Sequence, residues 1–599
     1  MPRIVIDNQA IDVPAGSTLL EAARRLGLDV PALCWHQDCR PKTACMVCLM
    51  KVSAADRSES APRLVPSCAT IVEDGMKIES ETEEVWQVRR ATLELLLSDH
   101  AGECRAPCQY ACPFDTDIPR MIRQVAAGSI VEAIVTLRKS MPLAAVLARV
   151  SPDTCEGACR RRMVDESVAI GLLKRYVADK NPSQYCAQDC AQDYAQDCGT
   201  GVSPVSHHGP EARHTSKRIA IVGAGPAGLS AAYFLLQQGH ACTLFDAHDM
   251  AGGTLLSIPE ERLPRDVLDA EITIIEKLGA RFELNMLIGR GGSGKGPHGT
   301  HTIRCTLDEL RRDHDAVLIA TGKLEKTDAE ALGLVATEDQ LQVDGTTHET
   351  EMPSVFAAGD AVRPRGKIVR AAVDGKAAAC CIDQYLQGIH ITGPAKLPAL
   401  RLGRPKSEEL AAMAAEVAAA PPVSLAKVEG NAGPVDEEAQ VEARRCLHCD
   451  CHKLDKCRLR KYAEMYGADA GRYRGRRRPY ERCLQHPDVI YEPGKCILCG
   501  LCIEVAEQAG EQLGLTFVGR GFDVRVAAPF EASLAEALKI AAPRCAEVCP
   551  TGALVLRSVQ LYGACRHPVE HTHEIRHSCD HPDSGCDSHR PPENSEKAS

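Results

Sequence analysis

The spacing of apolar positions changes period several times along the chain. RIVID and AIDVP alternate apolar and polar residues around Asn8-Gln9, which predicts a β-hairpin. Thr18 to Leu26 then runs at helical spacing, with Ser17 or Thr18 as cap and Glu21 in the first turn. Glu81 to Asp179 reads as helical. The apolar run Ile219 to Val222 predicts a buried strand, Leu229 to Leu236 returns to helical spacing, and Cys242 to Phe245 predicts a second strand ending at Asp246. Three stretches break the pattern. Asn181 to Ser216 carries the tandem CAQDCAQDYAQDC, and Ile391 to Glu438 is Ala/Pro-rich with a helical patch from Glu408 to Ala420. Leu561 onward is rich in His, Pro and acids. They predict two connectors and a disordered tail. The Gly-rich GRGGSGKGPHG (Gly289 to Gly299) precedes no apolar helix and predicts a flexible loop.

Length and composition narrow the class. A chain of 599 residues predicts three to five domains. A net charge of −11 fits a soluble protein and argues against a nucleic-acid partner. MPRIVIDNQAIDV has no basic-then-apolar signal and no long apolar run follows, so the expectation is a cytoplasmic protein without a membrane span. The count of thirty cysteines is high, and without a secretion signal it predicts metal binding over disulfides. With 4% aromatic residues, the cores must be built from aliphatic side chains and Ala.

Gly223, Gly225, Pro226, Ala227 and Gly228 stand between the predicted strand and helix in G-x-G-x-x-G order. The glycines suit a tight turn, a close approach to a pyrophosphate and helix–sheet packing, and Asp246 suits a ribose hydroxyl. This fingerprint specifies a dinucleotide without saying which. Further on, MAGGTLLSIPEERLP (Met250 to Pro264) and VFAAGDAV (Val355 to Val362) resemble the FAD-binding half of the glutamate synthase small subunit and of dihydropyrimidine dehydrogenase. The resemblance implies FAD, with Gly252 and Gly253 near the flavin and Gly359-Asp360 on the ribityl–phosphate part. Arg262 and Gly322 join that set. Such relatives carry an NADPH domain between the Ala320-Thr321-Gly322 motif and Gly359-Asp360. Here only Lys323 to Ala358 intervenes, and a second domain needs several βαβ units of about 30 residues each. The expectation is a flavin without a dedicated nicotinamide site.

The cysteines fall into groups. Cys34, Cys45, Cys48 and a distant Cys68 suit a 2Fe–2S cluster, with zinc as the alternative, and Cys39 falls outside the pattern. The arrangement resembles the N-terminal ferredoxin-like domain of the large complex I iron–sulfur subunit and of iron-only hydrogenases. LELLLSDHAGEC also resembles complex I, where a His in the position of His100 is a cluster ligand. CRAPCQYACPFDTDIP and SPDTCEGACRRRMVDESVAIGLLKRYVAD resemble the helical domain of the glutamate synthase small subunit, which holds two 4Fe–4S clusters. Here Cys104, Cys108, Cys112, Cys155 and Cys159 cannot fill eight places. One cluster is expected, from Cys104, Cys108 and Cys159 with His100 or Cys112. A second would need ligands such as Ser151, which stands where the family usually has Cys. Cys446, Cys449, Cys451 and Cys457 predict a further 4Fe–4S cluster or zinc, with Cys483 spare. CILCGLCIEVA and RCAEVCPTGAL resemble a bacterial-type ferredoxin. Cys496, Cys499, Cys502 and Cys549 make one complete cluster set, while Ala506 stands where the next Cys is expected and Cys545 is a remnant of the lost cluster.

The fold class expected is multidomain α/β and α+β. Residues 1–80 form a β-grasp 2Fe–2S domain, 81–180 a helical 4Fe–4S domain, 217–390 a Rossmann-type FAD domain, 441–485 a Cys-rich segment and 486–560 a bacterial ferredoxin-like domain. Connectors occupy 181–216 and 391–440, and a tail 561–599. One 2Fe–2S cluster, FAD and three 4Fe–4S clusters are expected, or four if the helical domain holds two. This reads as an oxidoreductase's electron-transfer subunit. Its partner would be a catalytic redox subunit resembling formate dehydrogenase, a hydrogenase or a diaphorase, with a ferredoxin or a separate NAD(P)H-binding subunit as further candidates. A stand-alone NAD(P)H:acceptor oxidoreductase and a non-enzymatic metal-rich scaffold are the alternatives.

Overall fold

A computed structural model describes residues 1–53, 61–151, 154–180, 216–289, 303–337, 340–364, 366–394, 400–415, 417, 435–453, 455–473, 475 and 477–557. The tandem repeat with Cys186, Cys190 and Cys198, most of the Gly-rich loop, and the tail with Cys565, Cys579 and Cys586 lie outside these residues.

The predicted hairpin is β1 (Arg3–Ile6) and β2 (Gln9–Asp12), paired antiparallel. Asp7 and Asn8 turn it at φ 45° and 67°, the left-handed values that a tight two-residue connection requires. With β3 (Leu49–Ser53), β4 (Arg63–Pro66) and β5 (Lys77–Glu79) they form a five-stranded sheet of order β2-β1-β5-β3-β4, in which β1 and β5 run parallel. Helix α1 (Leu19–Arg25) buries Leu19, Leu20, Ala22 and Ala23; Thr18 is its cap, and Glu21 returns the bond in a capping box. Helix α2 (Glu83–Ser98) leaves this domain. Its fully buried Arg89 donates to the Leu49 carbonyl and to Tyr466 Oη, tying the first sheet to a helix far down the chain.

Helices Ile118–Ala126, Ile130–Arg138, Ala144–Val150 and Ile170–Asp179 follow. Asp436–Ala443 packs against Ile118–Ala126 although hundreds of residues separate them. Arg138 pairs Glu271 through two 3.0 Å bonds, and the Ala145 amide adds a third at 2.8 Å, joining the helices to the dinucleotide domain. That domain has a parallel sheet whose strands lie in the order Val355–Ala357, Ala316–Ile319, β6 (Arg218–Val222), β7 (Ala241–Phe245) and β8 (Arg281–Glu283). Among the described residues, 323–358 hold a helix, Lys326–Leu332, and a small hairpin of Ala336–Thr337 with Gln340–Leu341 before the next sheet strand. Near the end of the described chain, Val489–Tyr491 pairs antiparallel with Leu554–Leu556, and helices Leu501–Gln508 and Ala542–Val548 lie between them in sequence. No described helix is long and apolar enough to cross a membrane.

Candidate cofactor and metal sites

The turn after β6 packs so tightly that it admits only glycine at several positions. Gly223 has φ 111°, and a Cβ there would stand 2.3 Å from the Ala320 carbonyl oxygen. At Gly228 a Cβ would meet the Gly223 oxygen at 1.9 Å, so the helix Pro226–Gln237 packs against the turn only with glycine there. Gly225 and Gly253 face each other, since a Cβ on Gly253 would lie 2.9 Å from the Gly225 Cα. Gly359 packs on Ala227, and Gly252 donates to the Ala224 carbonyl at 2.8 Å. Gly223, Gly225, Pro226, Ala227, Gly228, Gly252, Gly253 and Gly359 therefore converge on one cradle. Asp246 sits at its edge, one carboxylate oxygen accepting from the Ala224 amide and the other from the His248 amide. Asp360 accepts from the Gly366 amide, and burial raises its pKa. Gly322 follows the strand Ala316–Ile319 at φ 84°, and Arg262 is exposed.

Cys34, Cys45, Cys48 and Cys68 are all buried. The Cys45 amide donates to Cys34 Sγ at 3.5 Å, and Cys45 and Cys68 bond Cys34 so strongly that its thiol falls well below the ordinary range. Cys68 draws Cys48 down to about 7. In the C-terminal module, Cys496, Cys499, Cys502 and Cys549 line one cavity with Tyr491, Val526 and Thr551. Cys545 lies outside it, fully buried and bonded to the Cys502 carbonyl, while Ala506 is buried on the neighbouring helix.

The sequence expectation set Cys104, Cys108 and Cys159 apart from Cys446, Cys449, Cys451 and Cys457, and the fold brings members of the two sets near one another. Cys108, Cys159, Cys446 and Cys449 pack in one apolar cluster with Cys112 and Cys155, Cys457 packs in another, and the Cys451 amide donates to the Cys104 carbonyl at 3.4 Å. The reason is that the C-terminal segment folds back onto the helical domain. Arg161 donates to the Arg445 carbonyl across 284 residues of sequence, and Arg123 clamps Asp450 with two 2.8 Å bonds. His100 has Lys495, Glu492 and Arg478 as charged neighbours, and burial lowers its pKa to about 3.

Cys112 and Cys155 form a third arrangement. They line a cavity with Ser151 and Lys174, whose ammonium lies 3.8 Å from Cys112 Sγ and 3.6 Å from Cys155 Sγ. The Ser151 hydroxyl is buried, with no hydrogen-bond partner among the described residues. Burial pushes the Cys112 thiol up, but Lys174 and Thr116 outweigh it and the pKa is lowered. Among the described residues, no group of three or more His, Cys, Asp or Glu side chains is placed to hold a single metal ion.

Three family models match parts of the chain. A model of a 2Fe–2S iron–sulfur cluster binding domain matches residues 2–83. The 4Fe–4S domain II of dihydropyrimidine dehydrogenase matches 84–192, and an NAD(P)-binding Rossmann-like domain matches 221–284. The chain joins a 2Fe–2S domain, a 4Fe–4S domain and a Rossmann-like dinucleotide domain. It is 41% identical over 224 residues to the NADP(+)-dependent formate dehydrogenase subunit beta of Moorella thermoacetica, covering 36% of this chain and 29% of that one. It is 34% identical over 239 residues to the NAD-dependent dihydropyrimidine dehydrogenase subunit PreT of Escherichia coli K12, covering 39% of this chain and 50% of that one. To the glutamate synthase [NADPH] small chain of the same strain it is 30% identical over 274 residues, covering 43% of this chain and 51% of that one. The chain thus spans about half or less of these relatives.

The donor sets decide which groups fit. Four buried thiols in the 2Fe–2S domain and four around the C-terminal cavity supply the thiolates that such clusters need. The Cys112 cavity of the 4Fe–4S domain does not fit a cubane. It offers two thiols, a hydroxyl, and an ammonium that has no lone pair to give while charged. Lys174 escaped notice in sequence because one Lys in an apolar helix reads as a solvated end. Its signal was the surrounding run Ile170-Gly171-Leu172-Leu173, which leaves no polar face at that point.

Proposed function

We propose that the chain is an electron-transfer subunit of a larger oxidoreductase, holding FAD, one 2Fe–2S cluster and 4Fe–4S clusters. When bound, the clusters exchange single electrons and the flavin one or two. The observation that carries this reading is the glycine cradle followed by a short 323–358 segment, in a chain whose other domains present buried thiols in sets. Gly225 and Gly253, whose backbones approach each other, would hold the pyrophosphate side of the group, Asp246 would accept from a ribose hydroxyl, and Gly359-Asp360 would meet the ribityl–phosphate part. The proposed partner is a catalytic redox subunit of the formate dehydrogenase, hydrogenase or diaphorase kind, and the place of action is the cytoplasm.

A second reading is a stand-alone NAD(P)H:acceptor oxidoreductase, favoured by relatives whose names include NAD or NADPH. Anaerobic flavin and iron analysis, followed by NADH and NADPH added separately, distinguishes the two. One FAD with about fourteen irons, from one 2Fe–2S and three 4Fe–4S clusters, and no reduction by either nucleotide supports the relay subunit. Prompt reduction by a nucleotide replaces it with the dehydrogenase reading. Absence of iron sinks both.

A further inference from the structure

We propose that Cys108, Cys159, Cys446 and Cys449 together hold one 4Fe–4S cluster, shared between the helical domain and the C-terminal Cys-rich segment. This rests on the reading of the chain as an iron–sulfur relay and names a site inside it.

Packing is the first support. The four side chains belong to one hydrophobic cluster, which also holds Cys112 and Cys155, while Cys457 and the cysteines of the C-terminal module belong to another; of the cysteines in the first cluster, Cys446, Cys449 and Cys159 are the ones whose charge acts on Cys108. Neighbours in sequence are thus separated in space, and residues from distant segments are brought together. Loop geometry is the second. In Cys446-Leu447-His448-Cys449, His448 takes φ 46°; in Cys496-Ile497-Leu498-Cys499, Leu498 takes φ 56°. Met46 does the same at φ 52° between Cys45 and Cys48. A non-glycine residue at such φ is strained, and such strain gathers at functional sites. Here the turn aims an amide at sulfur. The Leu498 amide lies 3.4 Å from Cys496 Sγ, and the Cys45 amide 3.5 Å from Cys34 Sγ. The turn at His448 has the same backbone form, and the His448 amide acts to lower the Cys446 thiol's pKa against its burial. Amides donated to sulfur stabilise thiolate ligands and tune a cluster.

Docking is the third support. Beside Cys446, the fully buried Arg445 bonds Glu442 at 2.7 Å and Asp165 at 3.1 Å. Glu442 in turn accepts from the Ala169 amide at 2.8 Å, and Asp450 beside Cys449 is clamped by Arg123. The two halves of the ligand set are therefore fixed to each other by contacts on both flanks.

The test uses the full chain, purified anaerobically and reconstituted with iron and sulfide. Iron content and the EPR and Mössbauer components are recorded for wild type and for Cys159→Ser, Cys446→Ser, their double variant and Cys451→Ser. Each of the first two is expected to lose about four irons and the same component, and the double variant no more than either. Cys451→Ser keeps that component, which also rules out misfolding of the segment as its cause of loss in Cys446→Ser. Retained flavin and the 2Fe–2S signal report the fold. The assignment is overturned if Cys159→Ser and Cys446→Ser remove different components, if Cys446→Ser and Cys451→Ser remove the same one, or if one zinc replaces the iron. A wild type without 4Fe–4S signals fails the relay reading before any variant is made.

Discussion

Two small cavities are lined in opposite ways. The C-terminal one presents four thiols and no charged side chain. The one in the helical domain presents Cys112, Cys155, Ser151 and the ammonium of Lys174. Both are walled by apolar residues, so shape does not distinguish them. The donor set does. Four thiolates buried together repel one another and need a cationic occupant. Two thiols beside an ammonium have their counter-charge already within the protein. A cysteine in a cluster-type motif is therefore evidence for a cluster only when its partners are counted in space.

The largest effect expected follows directly. Cys549→Ser should cost about four irons, whereas Cys112→Ser should cost none, as read by iron analysis of the two proteins side by side. Equal losses would erase the distinction between the cavities. A construction in the other direction sharpens it. Ser151→Cys with Lys174→Glu replaces the hydroxyl and the ammonium by anionic donors, and the double variant should gain up to about four irons with a new EPR component. Lys174→Glu alone should gain less, because Ser151 is a poor ligand beside thiolates. If neither variant takes up iron, the cavity wall and not Lys174 is what excludes a cluster.

Much of this was legible in the chain. The hairpin around Asn8, the capping box at Thr18 and the β6–glycine–helix–β7 unit are local patterns, and the local pattern sufficed. The four thiols expected together in the first domain are all buried, and the four expected together in the last line one cavity, because each set lies within one small module. The helical domain was less legible. Cys446, Cys449, Cys451 and Cys457 are crowded in sequence and read as one ligand set, yet Cys446 and Cys449 pack in one apolar cluster and Cys457 in another. Their division depends on Arg445, Asp450 and Glu442 finding Asp165, Arg123 and Ala169, contacts between segments whose pairing no periodicity encodes. Lys174 was missed for a related reason: burial of a charge is decided by what packs around it, not by its own neighbours in sequence.

The next effect tests that division. Asp450 is buried, yet its carboxyl stays well below the ordinary range because Arg123 lies against it with both guanidinium nitrogens bonded. Removing one partner of a buried pair leaves an uncompensated charge, at a cost of about 3–5 kcal/mol. Arg123→Ala should therefore loosen the segment around Cys446 and Cys449, seen as faster hydrogen exchange over 444–452, while the C-terminal cavity keeps its protection. Equal protection in variant and wild type would mean that the clamp does not hold the segment in place.

The smallest effect expected lies next to the four-thiol module and depends on pH. Glu409, on the helix Ser407–Ala415, receives two 2.7 Å bonds from Arg477 and the amides of Lys406 and Tyr480. The Arg477 bonds come first among the causes that lower its pKa to about 2 from 4.5. A depressed carboxyl stabilises only while ionised, so its contribution is complete above about pH 4.5 and fades as the pH falls toward 2. Hydrogen exchange of 407–415 in the full chain should thus accelerate through that window in wild type. In Glu409→Gln it should be fast already at pH 6 and change little on acidification. Because acid also strips iron–sulfur clusters, the deciding quantity is the difference between the two proteins at each pH. That difference should shrink as the pH falls. A constant difference would show that Glu409 acts through packing and not through its charge, and the module's flank would then resemble the apolar walls of its cavity more than the ion-paired surround of Cys446.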